Sequence, residues 1–174
     1  MERARQLDPT SIVINSNIAS MYYNERDYER AIVQATKTLE LDPGSNLPVL
    51  PLVMAYKATG KYAQALAALD KAPKIPWPTV GLWRAQVLAA SGDRASAQSL
   101  VADYERSPGD EPLRNGAVAS AHLELGDKDG AFLWLDRAVE DRNPVIFNLK
   151  ASPQWDPIRS DPRYHQLLKR LNLE

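Results

Sequence analysis

His122 and His165 are the only imidazoles in this 174-residue chain, and cysteine is absent. Thiolate zinc sites, disulfides and cysteine nucleophiles are therefore excluded, and any acid–base or metal chemistry would have to start from these two rings. General acid–base work needs a partner group within hydrogen-bond reach, and no second histidine lies near His122 in sequence. It reads as a packed or partly exposed residue, while His165 falls on the polar side of a C-terminal helical stretch. The carboxylate pairs Glu40/Asp42 and Asp127/Asp129 have structural readings as well. The first closes a helix, and the second opens one, where negative side chains suit the positive end of the helix dipole. The stretch "ATGK" has the lysine of a phosphate loop without its upstream glycine, and neither G-x-S-x-G nor H-E-x-x-H occurs. Trp77, Trp83, Trp134 and Trp155 are spread along the chain and are expected to pack rather than to stack on bases. The expectation is a protein with no catalytic residue, no metal and no cofactor: not an enzyme.

Composition narrows the partners. Lys and Arg total 21 against 22 for Asp and Glu, so bulk electrostatics attracts neither nucleic acid nor an anionic membrane. The longest nearly apolar run, "LPVLPLVMAY", spans about half a bilayer and holds two prolines. No N-terminal apolar segment follows Met1, and the expected location is cytoplasmic.

What must position these residues is an internal repeat. Leu7-Asp8-Pro9 returns as Leu41-Asp42-Pro43, 34 residues later. The turns in "ATGKYAQAL", "ASGDRASAQ" and "ELGDKDGAF" place Gly60, Gly92 and Gly126 at spacings of 32 and 34, and Arg26 stands 34 before Gly60. Five residues beyond each turn lies a small residue, Ala31, Ala65, Ala97 or Ala131, where a methyl group lets two helix backbones approach. Glycine at the turn supplies the left-handed conformation that ends a helix. Each unit is thus predicted to be a helix, a tight turn and a second helix.

The stretch "SNIASMYYNERDYERAIVQATKTLELDP", with Ala19, Tyr22, Tyr28, Ala31, Leu39, Leu41 and Pro43 in phase, resembles the tetratricopeptide repeat family. The second unit matches through Tyr56, Gly60, Tyr62, Ala65 and Ala72. The third and fourth keep Ala85, Gly92 and Ala97, then Ala119, Gly126, Ala131 and Ala138. The resemblance implies an all-α fold, a right-handed α-solenoid of about four helix pairs with a C-terminal capping helix. The units fall at about 12–45, 46–77, 78–111 and 112–144, within a repeat region 10–144, before a capping segment 145–174. Residues 1–9 read as a remnant of a preceding repeat helix, so the chain is expected to come from a longer repeat protein. Departures carry expectations too. Asn15 stands where the family has a bulky residue, so the first unit should pack thinly. Pro48 and Pro51 should make the second unit's first helix start late. The shortened spacing at "KAPKIPWPTV" should change the pitch.

After "LDRAVEDRNP" the period is expected to stop. In "WDPIRSDPRYHQLLKRL", Asp161 can cap a helix that opens on Pro162. Tyr164, Leu167, Leu168 and Leu171 then form one apolar stripe. Arg163, Gln166, Lys169 and Arg170 should face away, as the polar side of an array cap. Together with "GAFLWLDRAVEDRNP", this segment is similar to the closing part of repeat regions in bacterial multidomain signalling proteins, among them winged-helix regulators, adenylate cyclase-like proteins and Ser/Thr kinases.

The family's first helices line a concave groove that binds peptides or helices. Carried onto this chain, the lining is Asn17, Ser20, Asn24, Leu50, Met54, Lys57, Leu82, Gln86, Ala90, Ser120 and Glu124. Lys57 is its only cation, too few donors to grip an acidic chaperone tail. The resemblance implies a non-catalytic protein-binding module or scaffold in a signalling protein, with a protein or peptide segment as partner, from another protein or from the same parent chain. The alternatives are the repeat region of a kinase or nucleotide cyclase, and a self-association module that forms homo-oligomers.

Overall fold

The structure is a computed structural model, and it describes residues 2–72, 79–106 and 114–173. Those residues form α-helices and two short 3-10 helices, with no strand among them. The chain divides into two compact units, Met1–Pro76 and Trp77–Glu174. The division falls in the proline-rich stretch where the repeat spacing contracts; the pitch change expected there lies outside the described residues.

In the first unit α1 (Glu2–Leu7) leads into α2 (Ile12–Asn24), α3 (Tyr28–Leu41), α4 (Val49–Ala58) and α5 (Tyr62–Lys71). Helices α2 and α3 pair, as do α4 and α5, and α4 packs on both helices of the pair before it. In the second unit α6 (Thr79–Ser91) pairs with α7 (Arg94–Arg106), and α8 (Arg114–Glu124) pairs with α9 (Lys128–Glu140). Here α8 again packs on both helices of the earlier pair. The 3-10 helices Pro144–Asn148 and Pro153–Ile158 follow, then α10 (Pro162–Arg170).

The four turns share one hydrogen-bond pattern. The amides of Asp27, Lys61, Asp93 and Asp127 donate to the carbonyls of Tyr22, Tyr56, Leu88 and His122, each at 2.9 Å. This six-to-one bond requires a left-handed residue just before the donor, and Arg26 (φ 64°), Gly60 (72°), Gly92 (100°) and Gly126 (75°) supply it. An L side chain in that conformation is strained by roughly 1–2 kcal/mol, against the lower backbone entropy it carries when unfolded. Arg26→Gly should therefore gain roughly 0.5 kcal/mol in urea melts, while Gly60→Ala should lose roughly 1 kcal/mol. The second loss would be conformational, because no atom lies within 4 Å of a Cβ built on Gly60.

The packing follows the small residues. Ala31, Ala65, Ala97 and Ala131 are all 0% exposed, and each lies in the second turn of its helix. In the second unit Leu82, Val118, Leu135, Trp155 and Ile158 form a continuous core with Leu167 and Leu168. Helix α4 does begin late, with Pro48 before its first residue and Pro51 in its first turn, where a missing N–H costs nothing. The fully buried apolar cluster beside α2 and α3 is small, as expected, with Ala19, Ala35 and Leu52, but Asn15 leaves no void in it. It is buried, its amide donates to the carbonyls of Pro9 and Ser11, and its Oδ1 accepts from Gln34 Nε2 at 2.9 Å. A satisfied amide thus joins α2 to α3 where a bulky residue was expected.

The repeat frame also runs further than expected. Asp127 caps α9 through the Gly130 amide, and Asp161, 34 residues on, caps α10 through the Arg163 amide. Arg163, Gln166, Lys169 and Arg170 are exposed, as expected, and two of them also bridge helices: Arg163 pairs with Asp129 at 2.7 Å, and Arg170 pairs with Asp136, each 34 residues back on α9. Ser120 Oγ bonds Gln154 at the same offset. The terminal segment therefore holds the positions of a fifth helix pair whose first helix is replaced by proline-bearing 3-10 turns. The period disappears from the residue pattern because Pro144, Pro153 and Pro157 prevent that first helix.

Arg163, hydrogen-bonded to Asp161, holds that carboxyl down at about 2 against an ordinary 3.8, with the Arg163 amide adding to the effect. A depressed carboxylate stabilises the fold above its unfolded pKa, and that contribution is lost as pH falls through the folded value. The cap should thus weaken between pH 3.8 and about 2. An Asp161→Asn variant should show a shallower acid limb in this window, read by circular dichroism.

Candidate functional site

The structure separates the residues expected to line a groove into two classes. In the first unit Asn17 is exposed, and Ser20, Asn24 and Leu50 are partly exposed. In the second unit Ala90 and Glu124 are partly exposed. Met54, Lys57, Leu82, Gln86 and Ser120 are buried, between 0% and 8% accessible. The cause is packing on both flanks: α4 and α8 each contact both helices of the pair before them and their own partner. Only a narrow stripe of each first helix then stays open. Ser120 is further covered by its bond to Gln154, and Ser20 Oγ donates to the Ser16 carbonyl at 3.1 Å. What remains open is amide, hydroxyl and aliphatic in the first unit, with the Glu124 carboxylate added in the second.

His122 lies at the junction of three helices. Its Nε2 is 2.9 Å from Glu105 Oε1 of α7, and its Nδ1 is 2.9 Å from Asp127 Oδ2 at the start of α9. Trp134 Nε1 of α9 donates to the same Glu105 oxygen at 3.0 Å, and the Arg137 guanidinium lies 4.3 Å from the Trp134 ring centre. The Gly130 amide, opposed by burial and aided by His122, holds the Asp127 carboxyl below the ordinary range. Gly130 is needed for space, since a Cβ there would lie 2.5 Å from His122 Nδ1. Both ring nitrogens face carboxylates, so neither is offered to a substrate. The chemistry of this cluster is cohesion: it ties α7, α8 and α9 together. His165 is exposed on α10.

A feature the sequence reading missed lies in the first unit. Leu39 of α3, Val49, Leu52 and Tyr56 of α4, and Ala67 and Ala68 of α5 wall a pocket of about 450 Å³. Thr36, Pro43, Gln64, Lys71 and Ala72 complete the lining. It is mainly apolar with a few polar groups, and its volume is within the range of about 300–1,000 Å³ typical of small-molecule sites. One signal was available: Ala68 lies eight residues past its turn glycine, where the other units carry Gln34, Leu100 and Trp134.

No helix among the described residues is long and apolar enough to cross a membrane. No protein-family model matches the chain, and no curated protein matches it significantly.

Proposed function

We propose that the chain is a tetratricopeptide-type α-solenoid that works as a non-catalytic protein-interaction module, recognising an uncharged peptide or helix along its first helices. The observation that carries this reading is the common frame. Four helix pairs turn on Arg26, Gly60, Gly92 and Gly126 with one hydrogen-bond pattern, and a cap at Asp161 follows in register. Repeats of this kind generate extended surfaces rather than closed active sites. Asn17, Ser20, Asn24 and Leu50 are the accessible lining of the first unit, neutral in charge. Lys57, the one cation of the lining, is buried, which favours an uncharged segment over an acidic chaperone tail. The likeness of the C-terminal segment to the closing part of repeat regions in bacterial signalling proteins supports a regulatory module within such a protein.

The test is selection of a phage-displayed random peptide library against the full chain. Enriched peptides should be neutral or apolar, and should lose binding to Asn17→Glu or Leu50→Glu variants that remain helical. Failure to enrich any sequence, or enriched peptides indifferent to both substitutions, would contradict the proposal.

A further inference from the structure

The pocket in the first unit and the His122 cluster in the second occupy the same places in the repeat frame. Counting from the turn residues, Leu39 corresponds to Glu105, Tyr56 to His122, Ala68 to Trp134 and Lys71 to Arg137. In the second unit the Trp134 side chain fills this position. It is 7% exposed, its nitrogen bonds Glu105, and Arg137 lies over its ring. In the first unit the tryptophan is replaced by alanine, and the position opens into the pocket lined by Leu39, Tyr56, Ala68 and Lys71. The acceptor has changed in step: where Glu105 receives an indole N–H, Leu39 offers only carbon.

We infer that this pocket is a binding site for a small aromatic carboxylate, whose ring takes the place that Trp134 fills in the fourth helix pair. Three features select that class. At this frame position α9 carries the planar ring of Trp134, whereas Ala68 leaves the space open. Leu39 in place of Glu105 favours a hydrocarbon ring with no donor at its edge. Lys71, at the Arg137 position, supplies a cation to the ring face or to the carboxylate. An apolar cleft of this size can take up an aromatic molecule from water because binding removes apolar surface from solvent on both sides. The site lies between α3, α4 and α5 and does not depend on the exposed stripe of the first helices, so it goes beyond the protein-binding reading.

The experiment is a titration of the full chain with 2-naphthoate, followed by amide chemical shifts and by calorimetry. Saturable binding is expected, with the largest shifts at Leu52, Tyr56 and Ala68. Ala68→Trp, which rebuilds the fourth unit's arrangement, should keep the helical spectrum and abolish binding. Ala68→Leu, with the side chain the third unit carries, should weaken it and serves if the tryptophan variant does not fold. Lys71→Gln should weaken naphthoate roughly threefold or more, while leaving 2-naphthalenemethanol bound as before if the cation acts on the carboxylate. Equal weakening of both would place the cation over the ring and overturn the choice of a carboxylate. An aromatic residue in a blocked peptide that binds more tightly than free naphthoate would overturn the small-molecule assignment. Absence of saturable binding, or undiminished binding to folded Ala68→Trp, would overturn the site itself.

Discussion

Leu167→Asp should destabilise the Trp77–Glu174 unit by about 3–5 kcal/mol, the range in which burial of an unpaired charge falls. Leu167 is 3% exposed and belongs to the core that joins Trp155, Ile158 and Leu135. A carboxylate there must either lose its hydration or expel α10 from the core. Leu168→Asp, at a position 7% exposed, should act in the same direction. Arg163→Ala is the contrasting variant. Its side chain is 43% exposed, it pairs with Asp129 and Asp161, and its guanidinium lies 4.2 Å from the Phe132 ring centre. Exposed ion pairs and such ring contacts contribute little, so this loss should be far smaller than that of Leu167→Asp. Urea melts followed by far-ultraviolet circular dichroism rank the variants; a larger loss for Arg163→Ala than for Leu167→Asp would contradict the capping account.

Trp134→Ala should cost about 3–5 kcal/mol, as large-to-small substitutions at buried aromatic positions do. The loss has parts that can be separated. The substitution vacates a position walled by α7, α8 and α9, and it removes the N–H that Glu105 accepts and the ring beneath Arg137. It leaves Glu105 its contact with His122. Trp134→Phe should therefore recover most of the packing without the hydrogen bond, leaving a deficit of about 1 kcal/mol. Thermal melts of the two variants test this. A phenylalanine variant as unstable as the alanine variant would show that the hydrogen bond, and not the volume, dominates.

Much of the fold was legible because turns and close helix approaches demand particular residues. The spacing of Arg26, Gly60, Gly92 and Gly126 located the left-handed turn inside each of the four helix pairs, but not the left-handed residues Arg142 and Asn172 that end α9 and α10. The alanines five residues further on identified the close contacts between helices, and Asp161-Pro162 marked the start of α10. The rest depends on what lies opposite a residue, which spacing along one chain does not reveal. Asn15 looked like a packing defect because Gln34 and the Pro9 carbonyl, its partners, were not identifiable. Arg163 and Arg170 are solvent-facing as their spacing implies, but their partners Asp129 and Asp136, one repeat back, could not be read from the stripe alone. Several groove positions are buried because the first helices pack on both flanks, so positions inherited from a family pattern overestimated the open surface. The pocket is invisible for the opposite reason: it is made by a side chain that Ala68 lacks, and that lack shows only when the four units are superposed in register.

Hydrogen exchange of the native full chain, with and without Leu167→Asp, tests the repeat account most directly. In a repeat array stability is a sum of units and nearest-neighbour contacts, so damage at one end should fade with distance along the chain. The account predicts that Leu167→Asp strips protection from α9 and α10, reduces it less in α6 and α7, and leaves α2 and α3 unchanged. A uniform loss of protection from α2 to α10 would contradict it, because the chain would then unfold as one cooperative body.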